Sequence, residues 1–218
     1  MKKYKFILII FFLCVGYYQS SSKEAEILQR IQSQYKSISS FTGNFVQISF
    51  KRNTEIPPKK AEGRVSYKRP GKMRWLYSLP EEHLLVTNGK TLWLFDPLLE
   101  NVTVQKLKKI TDGTALSFLL GLGDLNKDFR HRGISQDLFR IQDGLIVELE
   151  PKKVNTNLAF IQLQVHPKTY DLKKILMMDL NGNYRIIGLN SINYNLELED
   201  NLFEFQILKD MEVIETGN

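Results

Sequence analysis

Residues 83–95, HLLVTNGKTLWLF, place Asn88-Gly89 between two apolar runs, and no other feature limits the fold as strongly. A type I′ hairpin turn needs positive φ at both central positions, and Asn-Gly is the pair that supplies it. Two antiparallel neighbours are thereby predicted. The same texture recurs along the chain, in FTGNFVQISFK, AEGRVSYKR, KMRWLYS and NVTVQKL before residue 108. It resumes in FRIQ-DG-LIVELEP, AFIQLQVHP, DLKKILMMDL, YRIIGLNSINYNL and a last short FEFQI. Two stretches break the rhythm. EAEILQRIQSQYKSI, residues 24–38, sets Ile27, Leu28, Ile31, Tyr35 and Ile38 on one helical stripe. GTALSFLLGLGDLNKDF, residues 113–129, spaces Leu116, Leu119 and Leu120 as a helix would, and Gly121 and Gly123 stop it. Roughly a dozen short strands with one N-terminal helix and one helical insertion indicate a mainly β (α+β) fold, a large antiparallel sheet curled into a barrel or half-barrel. Pro57-Pro58-Lys59-Lys60 reads as a loop, and no repeat or interdomain linker divides the chain.

The first residues belong to a different class. Lys2, Lys3 and Lys5 precede an apolar run from Phe6 to Val15, followed by Gly16 and a serine cluster. That is the layout of a secretory signal peptide, and the run falls short of the roughly 20 residues a spanning helix needs. Ser20 and Ser22 fit the small-residue requirement at the cut, so residues 1–22 are expected to be removed and residues 23–218 to form a single domain. Cys14 is the only cysteine. Leu13 stands where a lipidation signal wants a small residue, so Cys14 is expected to leave with the leader. The exported domain then holds no disulfide and rests on its core alone. Half of the net charge of +6 sits in the three leader lysines, too mild a remainder to favour nucleic acid.

Two sequence features concern the interior. LWLF, HLLV and KILMMDL are apolar at consecutive positions, so both faces of those strands are greasy. Either both faces are buried, or one lines a space for an apolar guest. In SYKRPGKMRWLYSLP, residues 66–80, Arg69 lies on the same side of the alternation as Val65 and Tyr67 and is aimed at the core. A buried guanidinium is costly unless its donors find acceptors. It either reaches backbone carbonyls, pairs with a carboxylate, or snorkels at the rim.

Catalytic signatures are sparse. His83, His131 and His166 have no metal-motif spacing, and no Cys of the exported domain assists them. Ser117 in ALSFLLG lacks the glycines of a nucleophile elbow, and GLGD at 121–124 lacks the third glycine and preceding strand of a nucleotide loop. The carboxylate pairs Glu81-Glu82 and Glu197/Glu199 have spacings any exposed segment shows. No enzymatic activity and no cofactor are expected.

KRPGKMRWLYSLPEEHLLVTNGKTLWLFDPLLENV, residues 68–102, resembles the periplasmic outer-membrane lipoprotein carrier (LolA) family. Arg69-Pro70, Trp75, Pro80, Leu85-Val86, the Asn88-to-Trp93 hairpin and Asp96-Pro97 keep the family's register without a gap, and SSFTGNFVQ resembles its first strand. Met73 stands where the family often has Phe, and Asn88 where Asp is usual. The resemblance implies an incomplete barrel whose apolar concave face is covered by a lid of the N-terminal helix and short helices. It implies a periplasmic chaperone, a monomer, that takes triacylated lipoproteins from an inner-membrane ABC-type exporter to an outer-membrane receptor. An arginine at the place of Arg69 is implied as a latch on lid carbonyls. The acyl-chain lining expected on this basis is Phe45, Val65, Met73, Trp75, Leu85, Trp93, Leu116, Leu119, Leu120, Ile175 and Met177. The alternatives are an envelope lipid-binding protein of the same fold, either a LolB-type receptor or an RseB-type sensor module. A receptor is expected to keep an acylated N-terminal cysteine, and a sensor module a second domain.

Overall fold

The computed structural model describes residues 25–108, 123–134, 144–153 and 157–216. Helix α1 (residues 25–37) buries Ile27, Leu28, Ile31 and Tyr35, while Glu26, Gln29, Arg30, Ser33 and Lys36 face water. Its apolar stripe is the 3.6-residue pattern seen in the sequence, and Arg30 pairs with Glu26 one turn away at 2.8 Å.

The strands are β1 (Ser40–Phe50), β2 (Lys59–Lys68), β3 (Lys72–Leu79), β4 (His83–Asn88), β5 (Thr91–Asp96), β6 (Asn101–Lys106), β7 (Phe129–Ile134), β8 (Leu145–Pro151), β9 (Leu158–Val165), β10 (Leu172–Asp179), β11 (Tyr184–Tyr194) and β12 (Glu212–Glu215). A one-turn helix, α2 (Leu125–Asp128), precedes β7, with Asp124 capping its first amides. All twelve strands form one sheet, ordered β12-β6-β5-β4-β3-β2-β1-β11-β10-β9-β8-β7. The end strands do not meet, so the curled sheet stays open.

Three sequence expectations need correction. The final strand is Glu212–Glu215 rather than FEFQI, and it lies parallel to β6 instead of antiparallel. Phe203 ends a 3-10 turn, Asp200–Phe203, and is fully buried, so FEFQI serves as packing rather than as a strand. The Asn88-Gly89 hairpin exists, but only Gly89 takes positive φ, at 91°. The Asn88 side chain instead accepts from the amides of Lys90 and Thr91, both at 3.0 Å, which replaces the type I′ geometry by an Asx turn. The neighbours of β8 are β7 and β9; FRIQ, at 139–142, lies outside the described residues.

Register fixes the faces. Tyr67 lies opposite Met73, Val65 opposite Trp75, Trp75 opposite Leu85, and Ile175 opposite Ile187, so these side chains share the face that α1 covers. The β7–β10 half packs on Ile27, Leu28 and Ile31, and the β1–β3 half on Ile38. On β2, Gly63 is dictated by packing. A Cβ there would collide with the Leu76 carbonyl oxygen and lie 2.8 Å from the Phe45 ring.

The opposite, convex face carries a second apolar layer under the C-terminal segment. Phe203 is buried there near β3 and β4, Phe205 packs on Phe95 at 5.3 Å, and Asp200 bridges Lys68 and Lys72 at 2.6 and 2.7 Å.

Candidate functional site: a lidded apolar cavity

Between α1 and the concave face lies an apolar cavity of about 40 Å³. Ile31 and Tyr35 of α1 and Ile38 just after it form its roof; Phe41, Met73, Trp75, Ile175, Ile187, Leu189, Ile192 and Tyr194 form floor and walls. Tyr170, Leu172 and Gln34 close the rim. The lining is aliphatic or aromatic except at that rim. Met73 supplies an adaptable thioether, at which the Trp75 indole N–H is aimed.

Arg69 contacts the C-terminal end of the roof. It follows β2, where the cis Arg69-Pro70 peptide and Gly71, at φ 68°, turn the chain into β3. The Arg69 amide donates to the Ser39 carbonyl at 2.8 Å. Its guanidinium Nε donates to the Ile38 carbonyl at 2.9 Å and Nη2 to the Tyr35 carbonyl at 2.7 Å, and the group lies 5.3 Å from the Tyr35 ring centre. Carbonyls of a helix's last turn have no intrahelical donor, so a forked cation is a fitting partner. Its charge also matches the negative end of the helix dipole. Of the sequence alternatives, reaching backbone carbonyls is observed, at Tyr35 and Ile38.

Further ties run along α1. The buried Gln32 accepts from the Leu125 amide at 2.7 Å, Gln34 donates to Asp171 at 2.7 Å, and Lys36 meets Asp124 at 3.4 Å. Burial pushes the phenols of Tyr67, Tyr77 and Tyr194 up from their ordinary value, which keeps them neutral O–H groups. Nearby Arg69 and Tyr35 oppose the shift at Tyr67. Among the described residues no group of three or more His, Cys, Asp or Glu is placed to hold a metal.

The structure separates the residues singled out in the sequence. Met73, Trp75 and Ile175 line the cavity. Phe45 and Val65 share the concave face but are packed into the core beneath it, at 1 % exposure each. Leu85 and Met177 are half-buried on the same face. Trp93 must be corrected. It pairs with Val86 and Val104, one step out of phase with the cavity-side Leu92, so it stands on the convex face. Apolar residues on both sides of Trp93 hid the phase. Leu116, Leu119 and Leu120 lie outside the described residues. The sequence reading passed over Ile187 and Leu189, although the alternation through YRIIGLNSINY carried their signal, and Ile192, which a register shift in β11 brings to the cavity side out of that phase. It assigned Tyr35 and Ile38 to a plain helix stripe, and nothing local showed that this stripe also roofs a space.

The sequence profile of a family described as "Outer membrane lipoprotein carrier protein LolA" matches residues 36–206. An outer-membrane lipoprotein carrier protein of Legionella pneumophila (strain Corby) is 32% identical over 217 residues, covering 98% of this chain and 99% of the relative. One from Nitrosomonas europaea is 30% identical over 174 residues, covering 80% of this chain and 82% of the relative. Among solved structures, an uncharacterized conserved protein from Thermus thermophilus superposes with a TM-score of 0.52 at 15% identity. That match covers 88% of this chain and 98% of the other, and it speaks to the fold alone.

Proposed function

Because this chain belongs to the LolA family of outer membrane lipoprotein carrier proteins, we propose that the space beneath α1 receives lipoprotein acyl chains and carries them between the two membranes of the envelope. The observation that supports this reading is a small apolar cavity roofed by a helix that one arginine clasps. A methylene fills about the volume of a water molecule, roughly 30 Å³, so a sixteen-carbon chain needs on the order of 500 Å³. A cavity of about 40 Å³ is far too small for such a chain. On this reading loading lifts α1, and the arrangement held by Arg69 corresponds to the closed state.

Lifting α1 exposes Ile27, Leu28, Ile31, Tyr35 and Ile38, each stabilised by roughly 1.5–3 kcal/mol through burial. Acyl chains entering the same space cover those side chains again and gain about 0.8 kcal/mol per methylene themselves. That gain is counted against water and roughly replaces the burial the chains lose on leaving the membrane. Transfer from membrane to carrier is then close to balanced, as a carrier that must also release needs. The Arg69 hydrogen bonds set the bias toward closure in the empty protein. Phe45, Val65, Leu85 and Met177, next to the cavity, are proposed to be uncovered as the space widens. Residues 1–22 would direct export, and the mature chain would work in the periplasm as a monomer between an inner-membrane ABC-type exporter and an outer-membrane receptor.

The test adds purified residues 23–218 to spheroplasts displaying newly made lipoproteins. A soluble one-to-one complex with lipoprotein is expected in the supernatant. If lipoprotein stays on the membrane while the protein binds free acyl lipid, the transport role is wrong and a lipid-binding role of the same fold replaces it.

A further inference from the structure

Beyond the cavity the concave face changes character. Ile175 and Ile187 are cross-strand partners and both line the cavity. Two residues along the same strands, roughly 7 Å away, the next row on that face reads Lys59, Ser49, Arg185, Met177, Ile161 and Leu149. One half of this row is cationic and polar, and the other is apolar.

Arg185 is exposed, and among the described residues it forms no ion pair, while the row that carries it contains no carboxylate. It lies close enough to Tyr77 to oppose the upward shift of that phenol. The Tyr77 hydroxyl donates to Gln47 at 3.2 Å, and the Tyr77 ring meets the Phe45 ring edge-on at 4.9 Å. Tyr77 thus joins the aromatic wall to the polar end. An arginine at the same alternation phase as Ile187 and Leu189, beside a greasy space and without a carboxylate, leaves its fork free for an anion.

We propose that Arg185, flanked by Lys59 and the Tyr77–Gln47 pair, is the seat for an anionic head group, the carboxylate or phosphate of a single-chain acyl lipid whose tail enters the cavity under α1. The inference rests on the cavity's being an acyl-chain site, but it adds a ligand class distinct from lipoprotein. A triacylated lipoprotein brings uncharged ester and amide groups to this position, whereas a fatty acid or lysophospholipid brings a charge. The head group's place fixes the direction of entry, tail toward Ile187 and head at Arg185.

The experiment measures displacement of a fluorescent fatty acid from the mature protein by oleate, oleoyl lysophosphatidylglycerol and uncharged monoolein. Wild-type protein is expected to bind the two anions about fivefold tighter than monoolein, the upper range for an exposed ion pair. Arg185→Gln is expected to bring the anions to the affinity of monoolein, with monoolein unchanged, and Arg185→Lys to keep most of the preference. Preference for only one anion supports the seat and identifies carboxylate or phosphate as its ligand. Equal affinity for all three in the wild type, or an undiminished preference in Arg185→Gln, overturns the head-group seat and leaves the cavity reading standing. Failure of every acyl ligand, monoolein included, removes the cavity reading and the seat with it.

Discussion

Replacing Arg69 by leucine isolates the clasp on α1. The substitution removes two charge-assisted hydrogen bonds, at 2.7 and 2.9 Å, and the contact with the Tyr35 ring. Hydrogen bonds from charged groups contribute about 1.5–3 kcal/mol each. The lower figure applies here, because Arg69 is only half-buried and water can reach the freed carbonyls. Two such bonds give about 3 kcal/mol, or roughly a 150-fold change in the open–closed equilibrium of α1. Native-state amide exchange reads that equilibrium directly. Amides of residues 31–36 are expected to exchange about 100-fold faster in Arg69→Leu, while those of β1, β2 and β11 keep their protection. Cargo is expected to load readily onto this variant and to leave it slowly, since closure no longer helps expel it. Unchanged protection of α1 would refute the clasp. An equal loss throughout the sheet would refute the idea that its effect is local.

The remaining predictions concern the scaffold. Phe203→Ala removes a fully buried ring from the convex layer and is expected to cost about 3–5 kcal/mol in urea unfolding, with acyl-ligand affinity unchanged because the ring lies on the face away from the cavity. Gly63→Ala would force a methyl group into the Leu76 carbonyl oxygen; a loss of more than about 2 kcal/mol in the same assay is expected. Hydrogen bonds from Lys68 and Lys72 lower the Asp200 carboxyl to about 2. A depressed folded-state value stabilises the fold above the unfolded value and ceases to do so as pH falls through the folded one. The difference in unfolding midpoint between wild type and Asp200→Asn should therefore be constant from pH 5 to 7, shrink below about pH 4 and disappear only below about pH 2.

What could be read from the sequence follows the physics that each residue obeys. Period-two alternation and turn residues report on neighbours a few positions away, so most strands and the Asn88-Gly89 reversal were legible. The α1 stripe was equally plain because Ile27, Leu28, Ile31 and Tyr35 repeat every helical turn. Phase was lost where both faces are apolar. Trp93 follows Leu92 and precedes Leu94, and the distant packing of Phe203 and Phe205 makes its outer face apolar. FEFQI has strand composition, yet its phenylalanines are captured by the convex face instead of by a ladder. Arg69 stood out because an inward cation demands acceptors. That its acceptors are Tyr35 and Ile38, more than thirty positions earlier, is a long-range fact that alternation does not encode. Arg185 carried the same inward signal and was overlooked beside the isoleucines that follow it.

The central claim is that α1 is a lid that lifts to admit acyl chains. With Cys14 absent from residues 23–218, spin labels can be placed uniquely at the exposed positions Ser33, on α1, and Arg64, on β2. Their separation should be short and narrowly distributed in the empty protein. In the purified lipoprotein complex it should lengthen by roughly 5 Å or more, about half a helix diameter. An identical distance distribution with lipoprotein bound would contradict the account, since the cargo would then be held without opening the space beneath α1.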